Sequence, residues 1–194
     1  MFPKKHYILA SGSPRRQMIL DEAGLDFEVK VADIHEDFPA DMPVVNVARY
    51  LAEKKANQFP YLKDDELVIT ADTTVVVDDI ILNKPVDYQD AFDMLRCISG
   101  RSHTVITGVC LKTREKTISF DDNTLVTFKA LSNEEIDYYI QQHEPFDKAG
   151  AYGIQEWIGM IGVTTMQGSY FNVMGMPVHK LYEVLHKEFR DVDI

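Results

Sequence analysis

Residues 66–85 read ELVITADTTVVVDDIILNKP, and this stretch decides the fold class. Its apolar and β-branched residues predict two β segments that turn at Asp78-Asp79. Helix and strand signals alternate on both sides of it, which is typical of an α/β protein rather than of separate all-α and all-β pieces. We therefore predict one α/β unit, residues 1–194, with a central mixed and strongly twisted sheet flanked by helices.

The elements before this stretch are predicted from local patterns. They are a buried strand at KHYILAS (5–11), a helix that starts at Ser13-Pro14 and ends before Gly24, a strand at DFEVKVA (26–32), and a helix from Pro43 to Phe59. The last of these has apolar residues at helical spacing, which indicates an amphipathic helix. Proline in the first turn and glycine beyond the last are the usual limits of a helix.

The elements after this stretch follow the same reasoning. Asp87 is expected to cap a helix that closes at Ser99-Gly100, residues 102–130 to form a meander of long strands, and a capping box at 132–135 to open a helix that ends near His143. The last quarter of the chain predicts short strands at 160–165 and 170–173, followed by a helix over 177–189. No composition break indicates two independent domains.

The composition excludes several classes of protein. The chain has 20 basic and 31 acidic residues and a formal net charge of −11, so DNA or RNA would be repelled unless the few cations were gathered in one place. No run approaches the roughly 18 apolar residues that a membrane span needs. Cys97 and Cys110 form no CxxC motif and have no nearby His pair. This spacing argues against a disulfide framework and a zinc site, and it favours a cytoplasmic protein.

Residues 10–16, ASGSPRR, predict an anion site. A strand ends in small residues and a helix begins at Ser13, so backbone N–H groups and the helix dipole point at the turn. The hydroxyl groups of Ser11 and Ser13 and the guanidinium groups of Arg15 and Arg16 could hold a phosphate chain. A capped surface helix with two solvated arginines explains the same residues equally well.

Asp72 follows the apolar run of residues 67–71. A carboxylate at the end of a buried strand is costly to desolvate unless it meets a cation, hydrogen-bond donors or a metal, so Asp72 is a candidate acid or base. An aspartate that caps the terminal turn of the strand through Thr73 or Thr74 is the simpler interpretation of this pattern alone. Lys84 could be a solvent-exposed surface residue without a role in binding, or it could be a partner of a phosphate or of Asp72.

Residues 144–155, EPFDKAGAYGIQ, have the polar and glycine-rich pattern of a ligand-binding loop. Gln155 offers a donor and an acceptor to the edge of a base, while Tyr152 could stack on a base or simply pack. His103 could touch a phosphate, although a half-exposed strand histidine is the commoner outcome. The chain lacks GxxxxGK[ST], a GxGxxG after a strand and GxSxG, so kinase, P-loop and hydrolase-triad interpretations lose support.

In combination, these motifs resemble the Maf family of nucleotide pyrophosphatases, first associated with inhibition of septum formation. Six motifs occur in order along nearly the whole chain: ASGSPRR, LAEKKA, ADTTVVVDDIILNKP, SGRSHTVITGV, EPFDKAGAYGIQ and GSYFNVMGMP. The resemblance implies an elongated α/β fold with a central mixed sheet and a cleft between two lobes, similar to the inosine triphosphate pyrophosphatases. It also implies a homodimer.

The activity implied by the resemblance is hydrolysis of a nucleoside triphosphate to monophosphate and pyrophosphate, with a divalent cation such as Mg²⁺, Mn²⁺ or Co²⁺. Asp72 matches the family's proton acceptor, which would activate the attacking water. Glu36 matches a carboxylate implicated in metal binding. The residues that match triphosphate-binding positions are Ser11, Arg15, Lys55 and Lys84.

The choice of base is also implied by the resemblance. The family divides at three positions, which are Arg16, Thr73 and Gln155 here, similar to the branch that acts on dTTP and UTP. A site that hydrogen-bonds the O4 and N3–H edge rejects cytosine, whereas the methyl group that distinguishes thymine from uracil is worth only about 1–3 kcal/mol. The alternatives are a 7-methyl-GTP or broad CTP/UTP pyrophosphatase, and a nucleotide-sensing regulator of septum formation.

The sequence departs from the family pattern at two positions. The residue after Gln155 is usually glycine and is Glu156 here, so the geometry of this loop or the breadth of specificity could differ. The acid that usually precedes the helix lysine is replaced by Lys54. Either Lys54 or Lys55 could therefore face the cleft.

Overall fold

A computed structural model describes residues 2–31 and 34–189 of the 194-residue chain. The helices are α1 (Pro14–Glu22), α2 (Val44–Ala56), α3 (Tyr88–Ile98), α4 (Asn133–His143), α5 (Trp157–Gly162), α6 (Tyr170–Val173) and α7 (Val178–Glu188). The strands are β1 (His6–Leu9), β2 (Phe27–Val29), β3 (Glu66–Val77), β4 (Ile80–Leu82), β5 (Ser102–Lys112), β6 (Thr117–Phe128) and β7 (Val163–Gln167). Two short 3-10 helices, Pro145–Asp147 and Ala149–Ala151, follow α4.

The strands form one mixed sheet, as predicted. Its order is β2-β1-β3-β5-β6-β7, and β4 pairs with β3. Strand β1 lies parallel to both β2 and β3, whereas β3 with β4 and β6 with β7 are antiparallel pairs. Together with the helices, this sheet confirms the α/β fold class.

The described residues form two compact units. Unit 1 contains the described residues of Met1–Asp72, Thr107–Asp122 and Gly175–Ile194, and unit 2 contains Thr73–Ile106 and Asn123–Met174. Strands β3, β5 and β6 contribute residues to both units. The single domain over residues 1–194 stays a prediction.

In unit 1, helix α2 lies directly on the sheet. A Cβ atom at Gly108 of β5 would lie only 2.3 Å from the backbone nitrogen of Arg49 in α2, so no side chain fits there. The hydroxyl of Thr70 in β3 donates to the backbone oxygen of Ala52 at 2.6 Å, which ties the same helix to the next strand. These contacts place the C-terminal half of α2 beside β3.

The buried strands of unit 1 explain the continuous apolar runs in the sequence. Leu9 at the end of β1 pairs with Val29 on one side and with Ile69 on the other. The backbone N–H of Ala10 then donates to the oxygen of Ile69 at 2.8 Å. A strand that is paired on both sides and buried has no polar face, so it shows no alternation. The turn after β1 therefore begins beside the part of β3 that carries Asp72.

Several local predictions for unit 2 are confirmed. Asp78 and Asp79 both have positive φ angles, 46° and 62°, as a two-residue hairpin between β3 and β4 requires. The Asp87 side chain accepts from the N–H of Asp90 and caps α3. At the start of α4, Ser132 and Glu135 form the predicted capping box.

The predicted strands near the C-terminus are partly wrong. Residues 157–162 form helix α5, β7 starts only at Val163, and 170–173 form helix α6 rather than a strand. The Ser169 hydroxyl caps α6 by accepting from the N–H of Asn172. The Asn172 amide then donates to the backbone oxygen of Val105 at 3.1 Å and to Thr124 Oγ1 at 2.9 Å. Because these partners are distant in sequence, the local pattern does not indicate them.

Both cysteines carry free thiols, which agrees with the prediction of no disulfide. Cys110 is buried beside Ala52 and Ala56 of α2. Burial raises the pKa of the Cys110 thiol to about 12, because the thiolate would lose its hydration. This thiol is therefore an inert part of the core of unit 1.

The described helices are short. The longest, α2, has 13 residues. Along residues 2–31 and 34–189, no helix combines the length and the apolar composition that crossing a lipid bilayer requires.

Candidate active site

Asp72 and Lys55 form the centre of a polar cluster in unit 1. The Lys55 Nζ atom lies 2.5 Å from Asp72 Oδ1 and 2.8 Å from Glu36 Oε1. Asp72 is 7% exposed and Lys55 is 9% exposed, whereas the side chain of Glu36 is partly open to solvent. One ammonium group thus joins two carboxylates, one of them buried.

Strand β3 does not end at Asp72. The strand continues to Val77, because the β-branched residues of 73–77 favour an extended chain. The interpretation of Asp72 as the cap of a terminal turn through Thr73 or Thr74 is therefore wrong. The partner of its carboxylate is a cation.

Lys54 and Lys55 have different partners, which settles which lysine joins the cluster. Lys54 Nζ lies 2.6 Å from Asp37 Oδ1 and donates to the backbone oxygen of Asp37 at 3.0 Å. Consecutive residues of a helix point about 100° apart. Only Lys55 of the two reaches Asp72.

Arg16 is fixed by backbone oxygens within unit 1. Its Nε donates to the oxygen of Gly175 at 2.8 Å, and its NH1 group donates to the oxygen of Ala71 at 2.9 Å. A third, longer contact of 3.3 Å joins NH1 to the hydroxyl of Ser11. The alternative of two solvated arginines is thus wrong for Arg16, whose guanidinium is held next to the residue that precedes Asp72.

The turn after β1 keeps the features of an anion site. Ser11 is buried, and its hydroxyl accepts from the N–H of Ser13 at 3.3 Å. The Ser13 side chain makes no capping hydrogen bond at the start of α1. The N-terminal N–H groups of a helix that lacks such a cap can bind an anion. Arg15 is half-buried in the first turn of the same helix.

Burial and charge act in opposite directions on Asp72. Burial raises the pKa of Asp72 above its ordinary value because the carboxylate loses hydration, and the charges of Lys55 and Arg16 partly offset this rise. For Arg16, burial lowers the pKa, while the charges of Asp72 and Glu36 raise it. A carboxylate with a raised pKa is a stronger base than an ordinary aspartate, and this is the property that a general base needs.

Three predicted site residues lie in unit 2. Thr73 is half-buried and follows Asp72 in β3, so its side chain points to the opposite face of the strand. Lys84 is exposed after β4. Gln155 is exposed in a tight turn, in which the N–H of Glu156 donates to the oxygen of Gly153 at 3.0 Å.

His103 differs from its prediction as a half-exposed residue. It is 2% exposed, and its Nε2 atom lies 2.7 Å from the hydroxyl of Tyr152. Burial lowers the pKa of His103 to about 4, so the ring is neutral at pH 7. The Tyr152 ring packs edge-on against His103 and Phe128, so packing is the alternative that the structure supports for Tyr152.

Comparison with known proteins identifies the family. Residues 6–188 match the family model described as Maf-like protein. This chain belongs to the Maf family.

Several curated proteins that are similar to this Maf chain are named dTTP/UTP pyrophosphatase. The relative from Flavobacterium psychrophilum is 50% identical over 182 residues, which cover 93% of each chain. The relative from Porphyromonas gingivalis is 50% identical over 190 residues, or 96% of this chain and 95% of the relative. The relative from Bacteroides thetaiotaomicron is 46% identical over 186 residues, or 95% of this chain and 96% of the relative.

Glu36 and Asp72 are the carboxylates of this Maf site that a divalent cation could use, and both already contact the ammonium of Lys55. Glu36 and Asp72 both lie within 2.8 Å of one nitrogen atom, so their oxygens face a common point. Among the described residues, no group of three His, Cys, Asp or Glu side chains could hold a metal ion. Mg²⁺ suits such a site because it usually takes one or two carboxylates and completes its shell with water and phosphate oxygens.

A second polar cluster of this Maf chain was missed by the sequence analysis. The buried Lys148 lies 2.6 Å from Asp147 Oδ1 and 3.1 Å from Glu156 Oε1. The hydroxyl of the buried Tyr139 donates to Glu156 Oε2. Lys148 stood inside the motif of 144–155, but no local signal linked it to Tyr139 in α4.

Proposed function

We propose that this protein hydrolyses nucleoside triphosphates, dTTP and UTP in particular, to the monophosphate and pyrophosphate. The observation that carries this proposal is the buried Asp72 paired with Lys55, because a costly buried carboxylate with a raised pKa suits a base. The shared name of the relatives supports the choice of substrate. Membership of the Maf family supports the reaction class.

Asp72 acts as the proton acceptor. As the oxygen of a water molecule bonds to the α-phosphorus, Asp72 takes a proton from that water. The bond from the α-phosphorus to the bridging oxygen breaks, and pyrophosphate leaves with the electron pair. Lys55 keeps the carboxylate in place and supplies positive charge beside it. Positioning and charge neutralisation are the main tasks of an enzyme in phosphoryl chemistry.

The triphosphate is bound by hydroxyl and cationic groups. The residues that we assign to it are Ser11, Arg15, Lys55 and Lys84. Cations placed where negative charge develops stabilise the transition state. Glu36 would ligate a divalent cation, Mg²⁺, Mn²⁺ or Co²⁺, which neutralises phosphate charge when it is bound.

Three residues select the base in this proposal. The exposed carboxamide of Gln155 donates to O4 and accepts from N3–H of uracil or thymine. Arg16 donates to the backbone oxygen of Ala71, the residue before the catalytic aspartate. Thr73 is the residue after that aspartate in β3. A purine such as 7-methylguanine presents the same acceptor–donor pair at O6 and N1–H, so a site of pyrimidine size disfavours it through its larger ring.

We expect this enzyme to act in the cytoplasm as a homodimer. Two free thiols agree with a reducing compartment. The net charge of −11 disfavours nucleic acid as a partner.

A nucleotide panel tests the proposal. Purified protein is incubated with dTTP, UTP, CTP and 7-methyl-GTP in the presence of Mg²⁺ or Mn²⁺, and pyrophosphate and orthophosphate are measured separately. We expect pyrophosphate from dTTP and UTP and little turnover of the other two nucleotides. In water enriched in ¹⁸O, the label should enter the monophosphate. Orthophosphate as the first product, label in pyrophosphate, or binding without turnover would each contradict the proposal, and the last result would favour a nucleotide sensor.

A further inference from the structure

Glu156 closes the turn that presents Gln155. The N–H of Glu156 donates to the oxygen of Gly153 at 3.0 Å, so residues 153–156 form a β-turn with Gln155 at its third position. Gly153 and Ile154 are buried, whereas Gln155 is exposed. The chain thus holds the start of the turn inside unit 2 and exposes one carboxamide at its tip.

The carboxylate of Glu156 folds back over the start of this turn. A Cβ atom at Gly153 would lie 2.7 Å from Glu156 Cδ, so the carboxylate occupies the space that any side chain at 153 would need. The hydroxyl of Tyr139 donates to Glu156 Oε2 and accepts from the N–H of Gly153 at 3.0 Å. One hydroxyl group on α4 therefore ties both ends of the turn.

Lys148 completes the cluster that Tyr139 and Glu156 form. Its Nζ atom lies 3.1 Å from Glu156 Oε1, so both carboxylate oxygens of Glu156 have partners. Tyr139 is fully buried and Lys148 is 8% exposed. Hydrogen bonds to a charged group are strong in such surroundings, and each is costly to break because the partner that remains is still buried.

Helix capping does not explain Glu156. It occupies the N-cap position of α5, yet its side chain makes no capping hydrogen bond. Its carboxylate instead bonds to Tyr139 and Lys148, which belong to other elements. The side chain therefore acts on the turn of residues 153–156 rather than on the helix that follows.

We propose that Glu156 is a positioning residue for base selection, which together with Tyr139 and Lys148 fixes the backbone turn that presents the carboxamide of Gln155 to the uracil edge. This inference rests on the proposed function. Uracil presents an acceptor at O4 and a donor at N3, whereas cytosine presents a donor and an acceptor at the same places. A carboxamide that is free to move could satisfy either base, so a turn that restricts where the carboxamide lies favours one base over the other.

The experiment compares kcat and KM for UTP and CTP in wild type and three variants. In Glu156→Ala, we expect the preference for UTP in kcat/KM to fall about tenfold or more, mainly through a higher KM for UTP, because the fixed hydrogen-bond pattern is lost. Glu156→Gln should keep more of the preference for UTP than Glu156→Ala, because its amide oxygen can still accept a hydrogen bond from Tyr139. Glu183→Ala, which removes an exposed carboxylate of α7, is the matched control and should equal wild type.

A fourth variant tests the coupling of the cluster. Tyr139→Phe should relax the same preference, and its combination with Glu156→Ala should add less than the sum of the two single effects. The inference is overturned if the Glu156 variants lower only the melting temperature and keep the wild-type preference, or if wild type turns over UTP and CTP equally well. If Glu156→Ala does not fold, the preference of Glu156→Gln for UTP over CTP tests the inference on its own. Absence of any UTP turnover by wild type contradicts the proposed function itself.

Discussion

The ammonium of Lys55 lies 2.5 Å from a carboxylate oxygen of Asp72, and both side chains are almost fully buried in unit 1. A buried pair of this kind is weak evidence for stability, because desolvation of the two charges offsets much of their attraction. A catalytic role therefore explains this pair, which lies between a helix and a strand, better than a role in stability does.

Removal of the Lys55 charge should impair catalysis. In Lys55→Met, Asp72 loses its nearest cation, so its pKa should rise further and kcat should fall by about 10²-fold or more, as for other lost transition-state charges. Steady-state turnover of UTP measures this. Lys54→Met is the matched control, since Lys54 binds Asp37 instead. Equal losses in the two variants would contradict the assignment of Lys55.

The pH dependence of kcat should report Asp72. Only the ionised carboxylate accepts a proton, so kcat should fall as the pH drops through the pKa of Asp72. Because burial raises that pKa, the acid limb should lie above pH 3.8, the ordinary value for an aspartate. In Lys55→Met the limb should move to higher pH still. A limb at or below the ordinary value at saturating UTP would contradict a raised pKa.

Gly108 should tolerate no side chain. In Gly108→Ala, the new Cβ would lie 2.3 Å from the backbone of α2, so the helix that carries Lys55 must move. We expect the free energy of unfolding to fall by about 1–3 kcal/mol or more, as for other overpacked sites. UTP turnover should fall too. Gly12→Ala is a control for unfolding alone, because its Cβ would meet Val31 at an ordinary 3.6 Å. Equal melting temperatures for wild type and Gly108→Ala would refute the close approach.

Sequence patterns predicted the elements whose signals are local. The capping box at Ser132 and the hairpin turn at Asp78-Asp79 depend on neighbours within a few residues, and both are present. Helix α6 was missed because Asn172 owes its place to Val105 and Thr124, far away in the chain.

The same distinction holds for the candidate site. The pattern alone made Asp72 and the motif of residues 10–16 candidates, since a polar residue after an apolar run is visible in one sequence. It favoured a turn cap for Asp72, however, and only the resemblance to the Maf family assigned the roles. Tertiary packing determines the burial of His103 and the hydrogen bond from Tyr139 to Glu156. The sequence pattern therefore did not predict either of them. The sequence pattern did not indicate whether Lys54 or Lys55 contacts Asp72. The position of α2 on β3 decides this in favour of Lys55.

Turnover of UTP by Asp72→Asn, measured beside UTP binding, tests the central claim most directly. Asparagine keeps the shape of the side chain but cannot accept the proton, and Lys55 retains Glu36 as a partner. We predict that kcat falls about 10²–10⁴-fold, the usual contribution of a general base, while the affinity for UTP is unchanged or higher. A variant that turns over UTP at the wild-type rate would contradict the assignment of Asp72 as the base.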